Sequence, residues 1–298
     1  MTSCIECGSK TYRSIGGKDI CSLCGYNSSA YRDPYKYFDI TKQLYHKRTF
    51  ELLNKPIPSY LGNHDALWRF EYRTGIRLPV SFYEWYFYED NPKLLAKYNL
   101  DGHAIPIDDF SEPKDSWDDY NPLDENILPF MHENQGVCTW AIPLNMGDDP
   151  EVLIEVASGT PPQWQRCADH FSQWVYCVVR NHLTIESASF MAQAEPLSSA
   201  DLNFLQATFE EGKRTYIWPG RMNHYFKGRL GDMVIWAGDR QADWFITPSE
   251  GAALSLLKHL WSCSNLSISL WSQDDLATQQ LQEIRQQNKK LGFGQAIQ

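Results

Sequence analysis

The stretch ILPFMHENQGVCTWAIPLNMGDDPEVLIEV, residues 127–156, decides the fold. Ile127 to Met131, Val137 to Ile142 and Glu151 to Val156 are short runs rich in branched, aromatic and other apolar residues. Between them, Asn134 to Gly136 and Asn145 to Pro150 are turn formers. Runs of this length broken by Gly, Asn, Asp and Pro pair as an antiparallel meander, here of three strands. Before the meander, Asp65 to Arg73 reads as a helix, Thr74 to Pro79 as a step, and Ser81 to about Tyr88 as a second helix in which Ser81 and Glu84 have capping-box spacing. After it, Ala168 to about Arg180 reads as a third. The order α-α-β-β-β-α predicts an α+β fold in which helices pack on an antiparallel sheet.

Downstream the pattern starts again. Ser199 is placed to cap a helix through Leu202, Leu205 and Phe209, and strands are expected at Arg214–Trp218, Asn223–Arg229, Asp232–Ala237 and Asp243–Ile246. Thr247-Pro248-Ser249-Glu250 has the form of a capping box with Pro at the first helical position, opening a helix with Leu254, Leu257 and Trp261 on one side. From Gln273 the chain is Gln-rich, with Asp274 and Asp275 at one end and Lys289 and Lys290 at the other, as an amphipathic helix with dipole-matched ends requires. This region, 198–298, reads as a second small α+β unit, with no internal repeat. Upstream, residues 31–62 form a connector in which Asp39 can cap a helix from Ile40 to about Leu53 before Pro56 and Pro58 close it. The expected division is 1–30, 31–62, 63–190 and 198–298.

Composition narrows the function classes. The chain has 298 residues, 43% hydrophobic and 14% aromatic, which excludes disorder as a reading of the whole. The longest apolar run, near Trp174 to Val179, falls far short of the roughly 18 residues a bilayer span needs, and Met1 to Ser9 lacks a signal peptide's apolar stretch. A cytoplasmic protein without membrane association is therefore expected. A formal charge of −10 argues against whole-surface attraction to nucleic acid or anionic lipid and for a basic partner.

The eight cysteines fall into two populations. Cys4, Cys7, Cys21 and Cys24 read C-x2-C-G-x12-C-x2-C-G, with Gly16-Gly17 placed as a hairpin turn. Two such knuckles bring four thiolates round one cation, the shell that Zn2+ prefers. Residues 1–30 thus read as a zinc ribbon with one structural Zn2+; with four protein ligands the shell has no position left for activated water. So short a module cannot fold on burial alone, and metal binding worth roughly 10–16 kcal/mol supplies the difference. Cys138, Cys167, Cys177 and Cys263 sit in apolar sequence and read as core residues.

No phosphate-loop, G-x-S-x-G or H-E-x-x-H pattern occurs, and the histidines lack metal-ligand spacing. The anomaly is charge. Asp101 to Glu155 holds fourteen Asp or Glu against the single Lys114, more negative than the whole chain. A solvated loop is one reading. The functional reading is a partner-binding surface made of Asp108, Asp109, Glu112, Asp115, Asp118, Asp119, Asp124 and Glu125, with Trp117 and Tyr120 as aromatic anchors.

Several short features resemble the SUKH superfamily over about residues 60–190: Phe70 to Tyr86 with its Leu78-Pro79 step, Phe130 to Val137, Trp140 to Ile142, the Asp149-Pro150-Glu151-Val152 step, and the Phe171 to Val175 helix start. The resemblance implies an α+β binding scaffold, with Leu78, Pro79, Glu133, Gln135, Gly136, Asp149 and Pro150 as fold determinants. Many members are immunity proteins that bind and neutralise a toxin, often a nucleic-acid-targeting enzyme; others are regulatory interaction domains. The expectation is a non-catalytic, immunity-type protein whose acidic surface meets a basic toxin. The alternative is a zinc-ribbon adaptor that contacts nucleic acid or a protein complex through residues 1–60, where nine Lys or Arg face five Asp or Glu and Tyr12, Arg13, Lys18 and Tyr26 offer stacking and charge. An enzyme ranks third.

Overall fold

The structure is a computed structural model describing residues 12–15, 18–21, 44–55, 67, 70–71, 74, 76–86, 102–110, 120–157, 161–218, 221–261, 263, 266, 270–272 and 275–290. It is α+β, built on antiparallel sheets. Near the N-terminus, β1 (Tyr12–Ile15) pairs antiparallel with β2 (Lys18–Cys21) in a register that joins Ile15 to Lys18 across Gly16-Gly17. Two short helices follow, α1 (Lys47–Leu52) and α2 (Val80–Tyr86).

The meander has five strands, not three. β4 (Ile127–Glu133), β5 (Thr139–Pro143) and β6 (Val152–Ala157) are flanked by β3 (Gly102–Ala104) and β7 (Gln163–Ala168), neighbours pairing antiparallel throughout. The outer strands are short or polar, so they carry little alternation signal. In β4 the register shifts between Pro129 and Met131, a place where a proline without an N–H is tolerated. The β4–β5 and β5–β6 turns each carry a carboxylate that accepts hydrogen bonds. Glu133 accepts from the backbone N–H groups of Gln135 and Val137 at 2.7 and 3.0 Å, closing the β4–β5 turn where Gly136 takes φ +73°.

In the β5–β6 turn, Asp149 receives both the backbone N–H and the hydroxyl of Ser172, at 3.0 and 2.6 Å, and so caps α3 (Phe171–Ser187). The Asp148 carbonyl takes the Ser81 N–H at 2.8 Å. One turn thereby docks α2 and α3 on the sheet, which gives Asp149 and Pro150 their place in the fold. Helix α3 runs past Arg180 to Ser187. Its continuation, including Asn181, His182 and Thr184, is buried, so the helix outruns the expected end at about Arg180.

The second sheet has seven strands. Its path is β10 (Thr215–Trp218), β11 (Arg221–Gly228), β12 (Gly231–Gly238), β13 (Ala242–Pro248), β8 (Phe190–Ala194) and β14 (Leu270–Ser272), with β9 (Glu210–Glu211) on β11. Its helices are α4 (Ser199–Gln206), α5 (Ala253–Leu260) and α6 (Asp275–Lys290). Three local expectations are corrected. The α4 cap is Ser198 with Asp201 in a reciprocal capping box, one residue before Ser199. Thr247 and Pro248 extend β13 by pairing with Asp232 and Gly231, so a turn at Ser249 to Ala252 intervenes and α5 starts without a side-chain cap. Within α2, Ser81 is an interior residue and Glu84 reaches outside its own helix, so the expected capping box is absent.

Helix α3 is the shared element. One core cluster joins Phe82, Phe130, Trp140, Phe171 and Trp174 to Tyr225, Val234 and Phe245 of the second sheet. A second cluster fills the opposite face of that sheet, with Phe226, Ile235, Trp244 and Ile246 against Leu205, Leu257, Leu281 and Ile284. Helix α3 therefore packs on both sheets, α2 lies beside it against the first, and α4, α5 and α6 cover the far face of the second. No helix among the described residues is long and apolar enough to cross a membrane.

Candidate functional site

The acidic segment is the first candidate. Glu112, Asp115, Trp117, Asp118 and Asp119 lie outside the described residues, but both shoulders of the segment are placed. On the first, Asp108 and Asp109 sit in a 3-10 turn, Ile107–Asp109, followed by Phe110, 2% exposed. Phe110 packs edge-to-face on Phe70 and Tyr86 and tilted on Phe82, with centroids 5.7 to 5.8 Å apart. On the second, Asn121 accepts from the Leu123 N–H at 3.1 Å to cap a 3-10 helix, Pro122–Glu125, whose Asp124 and Glu125 are exposed. Tyr120 is half-buried and its hydroxyl engages Trp164 of β7 and Glu125; burial first, then the nearby carboxylates, raise its pKa. Tyr120 thus packs against the body on this side, a role its sequence context did not show.

Carboxylates that looked available in the sequence prove occupied. Both Asp149 oxygens hold Ser172, while Asp148 is exposed. Glu84, expected to cap its own helix with Ser81, serves another one, a role sequence reasoning missed. This side chain, 1% exposed, accepts from the backbone N–H groups of Tyr45 and His46 at 2.8 and 2.9 Å and so caps α1 from another helix. Asp39 and Ile40, the expected start of α1, lie outside the described residues. His46, fully buried, donates from Nε2 to the Ser81 carbonyl at 2.9 Å. Burial pushes the Glu84 carboxyl up to about 7 and the His46 imidazole down to about 4. The pair locks α1 to α2: both Glu84 oxygens and His46 Nε2 bond backbone groups. An interior Glu in an aromatic run was the only available signal.

A second polar knot ties α4 to the far sheet. Glu211 accepts from Arg214, His224 and Gln206. Burial raises its pKa, but the three donors outweigh that and hold the carboxyl down at about 2. Burial lowers the His224 pKa against the opposing pull of Glu211, to which its Nδ1 donates at 2.9 Å. An open cleft of about 360 Å³ lies between the β13–α5 turn and α6, bordered by Glu250, Glu283, Gln280, Leu254 and Ile284.

For the metal reading, β1 and β2 pair as the ribbon reading requires, and Cys21 ends β2 opposite Tyr12. Cys4, Cys7 and Cys24 lie outside the described residues. Among the described residues no group of three or more His, Cys, Asp or Glu is arranged to hold a metal ion. Cys138, Cys167, Cys177 and Cys263 are buried and outside any disulfide, as expected of core residues. Burial raises the Cys167 thiol and pushes that of Cys263 up to about 12, which suppresses the reactive thiolate. Comparison of the chain with protein-family models, curated proteins and solved structures gave no match.

Proposed function

We propose that this chain is a non-catalytic binding protein that captures a basic macromolecule, a nucleic-acid-targeting toxin in the manner of immunity proteins, on its acidic segment. The observation that carries the reading is the mounting of that segment. Fourteen carboxylates against one lysine span Asp101 to Glu155. Phe110 and Tyr120 fasten the segment to the body on both sides of its most acidic part, while Asp124, Glu125 and Asp148 remain exposed. Negative charge on a fixed support steers a basic partner and loses little entropy when the partner docks. The resemblance to SUKH immunity proteins points the same way. Co-expression with a toxin encoded beside this chain is expected to restore growth; failure to bind or protect against every linked toxin would remove the reading. Salt-sensitive nucleic-acid binding that vanishes with residues 1–60 would transfer the function to the N-terminal module.

We further propose that Cys4, Cys7, Cys21 and Cys24 hold one structural Zn2+, for which the β1–β2 hairpin is the supporting observation. A chelator is then expected to melt residues 1–30 while the body, whose cores contain none of these cysteines, stays folded. Hydrogen exchange with and without chelator measures this, and unchanged protection of Tyr12–Cys21 would count against zinc.

A further inference from the structure

The outer edge of the five-stranded sheet carries two histidines in register. His103 on the edge strand β3 stands directly opposite His132 on β4, and their ring centroids are 5.8 Å apart with planes at 59°. His103 is exposed and His132 half-buried. Their neighbours Met131 and Trp140 point into the core, so both imidazoles lie on the outer face. From this geometry we infer that His103 and His132 form a two-imidazole chelate for a divalent transition-metal ion of the Zn2+, Ni2+ or Cu2+ class, separate from the cysteine motif.

Three observations support it. The spacing fits: an ion about 2.0–2.1 Å from a ring nitrogen lies about 3 Å from that ring's centroid, so two tetrahedral imidazole ligands have centroids about 5 Å apart. A small χ rotation of the exposed His103 on the edge strand closes the difference. Orientation is the second. Nδ1 of His132 is bonded at 3.0 Å to the Thr139 hydroxyl, itself fully buried, the kind of outer contact that fixes a ligating ring and directs Nε2 to the metal. The third is field: the chain's formal charge of −10 favours cations over anions. His103 and His132 supply two ligands, and the further positions of the shell take water or other donors.

The test uses the full chain pre-equilibrated with one equivalent of Zn2+ and then titrated with Ni2+. Calorimetry should register one Ni2+ site, and paramagnetic broadening should reach the His103 and His132 ring protons before those of the other six histidines. His103→Gln, an exposed change, should weaken Ni2+ binding at least about tenfold with an unchanged circular dichroism spectrum. Equal affinity in His103→Gln, or earlier broadening at another histidine, overturns the assignment.

Discussion

Replacing Trp174 by alanine is expected to lower the unfolding free energy by about 3–5 kcal/mol, a large part of the roughly 5–15 kcal/mol that holds an ordinary domain together. Trp174 is fully buried on α3, edge-on to Phe130 at 5.2 Å, tilted on Trp140 at 6.1 Å and stacked on Phe171 at 6.5 Å. Those neighbours sit on β4, β5 and the capped start of α3, so they cannot collapse into the space an alanine leaves. Because α3 belongs to a core that also includes Tyr225, Val234 and Phe245, the loss should appear in the second sheet as well. Trp271→Ala is the control: on β14 and 44% exposed, it should cost far less. Urea unfolding followed by tryptophan fluorescence and by circular dichroism measures both, and a Trp174→Ala loss below about 1 kcal/mol would show that α3 does not carry a shared core.

The second large effect depends on pH. The Glu84 carboxyl is raised from 4.5 to about 7 in the folded chain, so the native state holds its proton more tightly than the unfolded chain does. Its contribution is fully present below pH 4.5 and is lost as pH rises through 7, worth on the order of 3 kcal/mol. His46 is lowered from 6.5 to about 4, so its contribution is present above pH 6.5 and is lost as pH falls through 4. The slopes oppose each other between about pH 4.5 and 6.5, and the two groups together should leave stability nearly flat there. Glu84→Gln removes one slope. Its stability relative to wild type should rise by up to about 3 kcal/mol from pH 4.5 to 7.5, and the variant should show the acid loss that His46 imposes. Chemical denaturation at a series of pH values tests this; parallel curves for the two proteins would mean that Glu84 ionises as an exposed carboxylate does.

Local signals were readable where the responsible atoms are near in sequence. The turn formers at Asn134 to Gly136 and the apolar run through Trp140 and Ile142 located β4 and β5. Long-range partners were not readable. Glu84 has the spacing of a cap for Ser81 yet serves Tyr45 and His46, 39 and 38 residues away. Thr247-Pro248 has a helix-opening signature, but pairing with β12 drew it into a strand. The strand β8 is five residues long and gains its place only between β13 and β14. The same division applies to the candidate site. The charge of the acidic segment is plain in the sequence, whereas its fastening through Phe110 and through Tyr120 on Trp164 depends on residues brought together by folding.

The claim that this segment steers a basic partner is tested most directly by association kinetics. Wild type and a variant with Asp108, Asp109, Asp118 and Asp119 all changed to Lys would be compared for on-rate against the toxin captured from the native source, at low and physiological salt. The account predicts equal folding, a wild-type on-rate that falls steeply with salt, and a variant slower by about tenfold or more with little salt dependence. Identical on-rates and salt dependence, or no partner retained by wild type, would contradict it.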